Sequence, residues 1–126
     1  MPNQVKKKIL AVVDDLFFSV KISDAAKRTG LEVDFVKSEK DAVERAKDKP
    51  LLIIVDLNIT SLAPLKLIGK LKGSSELKQI SLIGFLSHVQ GELKQQAQEA
   101  GANMVMARSA FSQNLQQILK RHSGTI

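Results

Sequence analysis

The sequence predicts an α/β domain, a parallel sheet with helices on both faces. Short apolar runs alternate five times with segments that carry apolar residues at helical spacing. One run, residues 51–55, is apolar throughout, the pattern of a central parallel strand buried on both faces. No repeat, linker or low-complexity tract interrupts the 126 residues, so the whole chain, 1–126, is expected to form one domain with its core at about 8–121.

Residues 8–13 (KILAVV) form the first strand candidate, closed by Asp14 and Asp15. Residues 16–29 follow, with Phe18, Ile22, Ala25, Ala26 and Thr29 at helical spacing and Gly30 at the position of a C-cap. In residues 31–36, Leu31, Val33 and Phe35 alternate with Glu32 and Asp34, as in a half-exposed strand at a sheet edge. Ser38 to Asp41 has the character of a capping box before a helix that turns Ala42, Val43 and Ala46 inward and closes at Lys49-Pro50.

After the central strand, residues 64–72 place Leu65, Ile68 and Leu71 on one face, and Gly73-Ser74-Ser75 breaks the helix. Residues 80–86 are the fourth strand candidate. Ser87, His88 and Val89 lead into a helix with Val89, Leu93, Ala97 and Ala100 inward, ended by Gly101. Residues 104–107 are the fifth strand, and Phe111, Leu115, Ile118 and Leu119 stripe the last helix.

Composition narrows the function. There is no Cys, hence neither a disulfide framework nor a thiolate metal site. The basic start of the chain lacks the apolar region of a signal peptide, and no apolar run approaches membrane-spanning length, so a cytoplasmic protein is expected. The net charge of +6 comes from lysines spread along the chain, and Trp and Tyr are absent. That charge reads as a solvated surface rather than a nucleic-acid footprint.

The chemistry lies at the strand ends. Asp56 closes the central strand although strands disfavour Asp and a buried charge is costly. A turn-capping role would also place it there. In a parallel sheet, Asp14, Asp15, Asp56, Ser87 and Arg108 all emerge at one edge, where open α/β sheets bind ligands. Asp14 or Asp15 caps the next helix in the plainest reading, and Ser87 does the same. Two adjacent acids and a third on a neighbouring strand exceed what capping needs and suit a metal site.

Val12-Val13-Asp14-Asp15, Ile54-Val55-Asp56-Leu57-Asn58, Ser87 and Ala100-Gly101-Ala102 together resemble the motifs of response-regulator receiver domains of the chemotaxis-regulator type. The resemblance spans residues 8–121. It implies a flavodoxin-like, doubly wound sheet of order 2-1-3-4-5. It also implies Asp56 as phosphoacceptor and Mg²⁺ held by Asp14, Asp15, Asp56 and the backbone carbonyl of Asn58. Ser87 and Arg108 would contact the phosphoryl oxygens. The implied partners are a sensor histidine kinase or phosphotransfer protein and a downstream protein target. The implied unit is a stand-alone receiver without an output domain, turning over no separate substrate.

A hard cation on oxygen ligands screens the charges that otherwise keep a carboxylate from a phosphoryl donor. A pseudo-receiver that signals without phosphorylation is the nearest rival. A small phosphatase using Asp56 is weaker, because Asn58 stands where such enzymes need a general acid. A flavodoxin would need a hydroxyl-rich phosphate loop after the first strand, where Asp14 and Asp15 stand.

Several positions depart from the family pattern. Arg108 stands for its usual Lys and Ser109 for the following Pro, and Phe111 comes one residue late. Thr60 and Ala63-Pro64 replace the usual Pro and Asp-Gly. His88 replaces a small residue and is a candidate gate beside Ser87, Val105 stands at the switch aromatic, and the loop after Ser87 is one residue short. A cis bond before Ser109 would cost about 2.5–4 kcal/mol, so a trans bond is expected. Arg108 is expected to pair with Asp56 at rest.

Overall fold

A computed structural model describes residues 7–87 and 91–123 of the chain. Five strands alternate with five helices: β1 (Lys8–Val12), α1 (Leu16–Arg28), β2 (Glu32–Val36), α2 (Glu39–Ala46), β3 (Leu52–Asp56), α3 (Pro64–Lys72), β4 (Ser81–Leu86), α4 (Gly91–Ala100), β5 (Met104–Ala107) and α5 (Arg108–Ser123). The strands form one sheet of order β2-β1-β3-β4-β5, and all four pairings are parallel. That is the doubly wound order expected from the resemblance. The chain order reverses between β1 and β3, which opens a crevice at their C-terminal ends.

Period-two alternation divides the strands between two cores. Leu10, Val12, Ile53, Val55 and Leu82 pack with α2, α3 and α4 through Ala42, Ala46, Leu67, Ile68, Leu71 and Ala97. Ile9, Ala11, Leu52, Ile54, Ile83 and Phe85 face α1 and α5, meeting Phe18, Ile22, Leu115 and Leu119. Every residue of β3 is buried, as its unbroken apolar run requires, whereas β2 at the edge buries only Val36.

Local signals in the sequence set the element ends. Asp15 Oδ1 accepts from the backbone N–H groups of Phe17 (2.8 Å) and Phe18 (3.3 Å), two of the orphan donors at the start of α1. Ser38 Oγ accepts from Asp41 N at 3.1 Å, and Pro64 sits in the first turn of α3. Gly30 follows α1 with φ +75°, a left-handed conformation that costs a glycine little.

Two arrangements have no local signature. Phe85 stacks on Phe18 and on Phe111, with centroids 4.9 and 4.7 Å apart, joining α1, β4 and α5 beneath the C-terminal edge of the sheet. At the opposite edge, Lys72 Nζ donates to the carbonyl of Ile80 and to Asn103 Oδ1, both at 2.7 Å. Asn103 Oδ1 also accepts from Leu82 N at 2.8 Å, tying the end of α3 to the starts of β4 and β5.

The last helix begins one step earlier than a strand-end Arg108 implies, because β5 ends at Ala107 and Arg108 is already the first residue of α5. Among the described residues every peptide bond is trans, Arg108-Ser109 included. Val89, expected on the buried face of the fourth helix, lies outside the described residues. On that helix Ala97 is buried, and Leu93 and Ala100 pack partly buried against the core.

Candidate functional site

The site is assembled from the ends of β1, β3, β4 and β5. Asp56 is the last residue of β3 and is 3% exposed. Its Oδ1 accepts from Asn58 N at 2.9 Å, so it does close the turn after the strand. Its Oδ2 faces the Arg108 guanidinium, 3.6 Å from Nη2. The other terminal nitrogen of Arg108 lies 3.7 Å from Asp15 Oδ2. One guanidinium therefore straddles two carboxylates, from β3 and from the start of α1.

Arg108 is held from below as well. Its guanidinium carbon lies 4.9 Å from the Phe18 ring centroid and 5.8 Å from that of Phe85, on the edge of the three-ring stack. Its Nε is buried with no hydrogen-bond partner. The fork geometry of Arg and its weaker hydration suit this position between acids and aromatic faces, where a Lys ammonium would act as a compact point charge.

Burial pushes the Asp56 carboxyl above its ordinary value of 3.8. The Asn58 N–H and Arg108 draw it down, while the charges of Asp15 and Asp14 push it further up. Asp56 is thus a buried acid held above its ordinary value at the C-terminal edge of the sheet, where open α/β sheets bind ligands.

Ser87 comes to the same edge, where it is bonded to Asn58. Its N–H (2.7 Å) and hydroxyl (3.0 Å) both donate to Asn58 Oδ1, locking the loop after β3 to the end of β4. Ser87 also lines an open pocket of about 420 Å³ with Phe17, Phe18, Lys21, Arg108, Ser109 and Ser112. Asp14 is exposed and reaches the site through its charge. His88, the candidate gate, lies outside the described residues. The structure thus brings Asp15, Asp56 and Arg108 together, with Asn58 and Ser87 as a second, linked pair. The aromatic floor under Arg108 was not legible in the sequence, although Phe18 and Phe111 were visible as core positions.

In this arrangement the expected metal meets a competing cation, the Arg108 guanidinium. Both oxygens of Asp15 and both of Asp56 are engaged, one each by backbone N–H groups and one each by Arg108. Among the described residues no group of three or more His, Cys, Asp or Glu side chains is placed to hold a metal ion. Asp14, Asp15, Asp56 and the carbonyl of Asn58 have the hard-oxygen chemistry for Mg²⁺, but a guanidinium stands between two of them.

No protein-family model matches the chain. No curated protein matches it either. Solved structures do. The chemotaxis response regulator CheY4 of Vibrio cholerae superposes with a TM-score of 0.79 at 21% identity, over 94% of this chain and 99% of that one. The fold is that of a response-regulator receiver domain. A phosphorylated cyanobacterial phytochrome response regulator, RcpA, gives a TM-score of 0.75 at 21% identity, over 93% of this chain and 91% of that one. The Mn²⁺-bound form of the response regulator Rcp1 gives 0.74 at 18% identity, over 91% and 90%. No helix among the described residues is long and apolar enough to cross a membrane.

Proposed function

We propose that the chain is a cytoplasmic receiver module in two-component signalling. In this reading Asp56 accepts a phosphoryl group from a sensor histidine kinase or phosphotransfer protein, and the domain signals through protein contacts. The supporting observation is Asp56 itself. Among the described residues it is the one buried charged side chain, and it stands at the C-terminal end of the central strand with a cation beside it.

A carboxylate oxygen of Asp56 attacks the phosphorus of a phosphohistidine. The P–N bond breaks, its electron pair returns to the imidazole, and an acyl phosphate forms. Arg108 then exchanges its carboxylate contacts for bidentate contacts to the phosphoryl oxygens. The Ser87 hydroxyl, leaving Asn58, supplies a further donor. No turnover of a separate substrate is proposed.

Treatment with acetyl phosphate followed by intact-mass and peptide analysis tests this. A phosphoryl adduct on Asp56, absent from Asp56→Asn, is the expected result. A second reading, a binding module that signals unphosphorylated, is favoured by the engagement of Arg108 with both Asp15 and Asp56. Failure to form an adduct with acetyl phosphate and with a histidine-phosphorylated donor protein decides for that second reading.

A further inference from the structure

We infer that Arg108 is the internal counter-cation of this site and stands where a divalent ion would have to bind, so that the resting domain does not take up Mg²⁺. The inference rests on the receiver reading only for placing the acids at the working edge of the fold. The rest follows from contacts within the chain.

A divalent ion held jointly by Asp15 and Asp56 would use the carboxylate oxygens that do not serve backbone N–H groups. Those are Asp15 Oδ2 and Asp56 Oδ2, the two atoms that the Arg108 guanidinium meets at 3.7 and 3.6 Å. Their other oxygens serve backbone N–H groups of Phe17, Phe18 and Asn58, so turning either carboxylate toward a metal would break a helix cap or a turn.

The surroundings of Arg108 hold it at this place. Its guanidinium lies over the Phe18 and Phe85 rings, and its backbone is the first residue of α5. A dication entering beside it would meet a like charge at contact distance in a half-buried site. Like-charge repulsion there is screened far less than at an open surface. The charge that a metal would supply is therefore supplied by the protein, at a fixed position and in a planar geometry suited to oxygen pairs.

Two titrations of the full chain test this, Mg²⁺ followed by amide chemical shifts and thermal melting, and Mn²⁺ followed by paramagnetic broadening. In the wild type, millimolar Mg²⁺ leaves the melting temperature and the amides of Asp14, Asp15 and Asp56 unmoved, and Mn²⁺ broadens none of them. Arg108→Met frees both carboxylate oxygens and binds either ion at least tenfold more tightly than the wild type. Arg108→Lys, which keeps the charge on a movable stem, gives a smaller gain and serves if the Met variant does not fold.

Wild-type binding as tight as that of the variants overturns the inference, and so does failure of both variants to gain metal. Acetyl phosphate labelling separates the two readings. An adduct on wild-type Asp56 that requires Mg²⁺ keeps the phosphoacceptor and overturns the inference. No adduct from acetyl phosphate or from a histidine-phosphorylated donor protein, with metal binding gained by Arg108→Met, supports the inference and overturns the phosphoacceptor.

Discussion

Replacing Arg108 by Met removes the charge between Asp15 and Asp56 while keeping much of the stem that packs on the rings, so the loss of stability should report mainly on electrostatics. Exposed ion pairs contribute about 0–1 kcal/mol. Removing one partner of a fully buried pair costs about 3–5 kcal/mol, because the other charge is left without compensation. The Arg108–Asp56 pair lies between these limits, with side chains 35% and 4% exposed. Contact of the guanidinium with the Phe18 and Phe85 faces adds about 0.5–1 kcal/mol. Arg108→Met should therefore lose about 2 kcal/mol at neutral pH.

The pH dependence gives a sharper check. Burial holds the Asp56 carboxyl above 3.8 even with Arg108 present, so this group favours the folded state below 3.8 and that contribution is lost as pH rises through the folded value. Without Arg108 the folded value rises further, and the deficit of the variant is largest at neutral pH and shrinks on acidification. The chain has no Trp or Tyr, so urea unfolding is followed by far-UV circular dichroism. A double-mutant cycle with Asp56→Asn should return a coupling of at least about 1 kcal/mol. A variant as stable as the wild type at neutral pH, or a deficit that grows in acid, would refute the assigned electrostatics.

Other substitutions probe separate parts of the fold. Asp56→Asn removes a buried charge that the fold disfavours, and should be more stable than the wild type at neutral pH, with the gap closing as pH falls toward 3.8. Gly101→Ala puts a side chain on a residue with φ +120° and a Cβ 2.7 Å from Lys72 Cγ; a loss of about 1–3 kcal/mol in denaturant unfolding is expected. Asn103→Ala leaves Leu82 N and Lys72 Nζ without their shared acceptor and should cost about 1–3 kcal/mol, with faster hydrogen exchange at Leu82 than at Ile54.

The sequence by itself determined the α/β class, because the period of its apolar pattern changes from element to element and each change has a local cause. The unbroken run ending at Asp56 reads as a strand covered on both faces, and the alternation in residues 31–36 as a half-exposed edge strand, although the fold buries Val36 there and leaves Phe35 exposed. Asp15 and Ser38 cap the helices they precede for the same local reason, a short oxygen side chain beside orphan N–H groups. The strand order came from resemblance, since parallel strands separated by whole helices carry no pairing register in their own residues.

What only the tertiary structure decided is how the strand-end residues are used. Sequence position brought Asp14, Asp15, Asp56, Ser87 and Arg108 to one edge as apparent equals. Folding pairs Arg108 with Asp15 and Asp56 and turns Ser87 to Asn58, leaving Asp14 exposed. The deciding feature is the Phe18–Phe85–Phe111 stack, built from residues on three elements far apart in the chain. A guanidinium takes its place from the surface it lies on and the charges it meets, and neither exists until the sheet and both helices have closed around it.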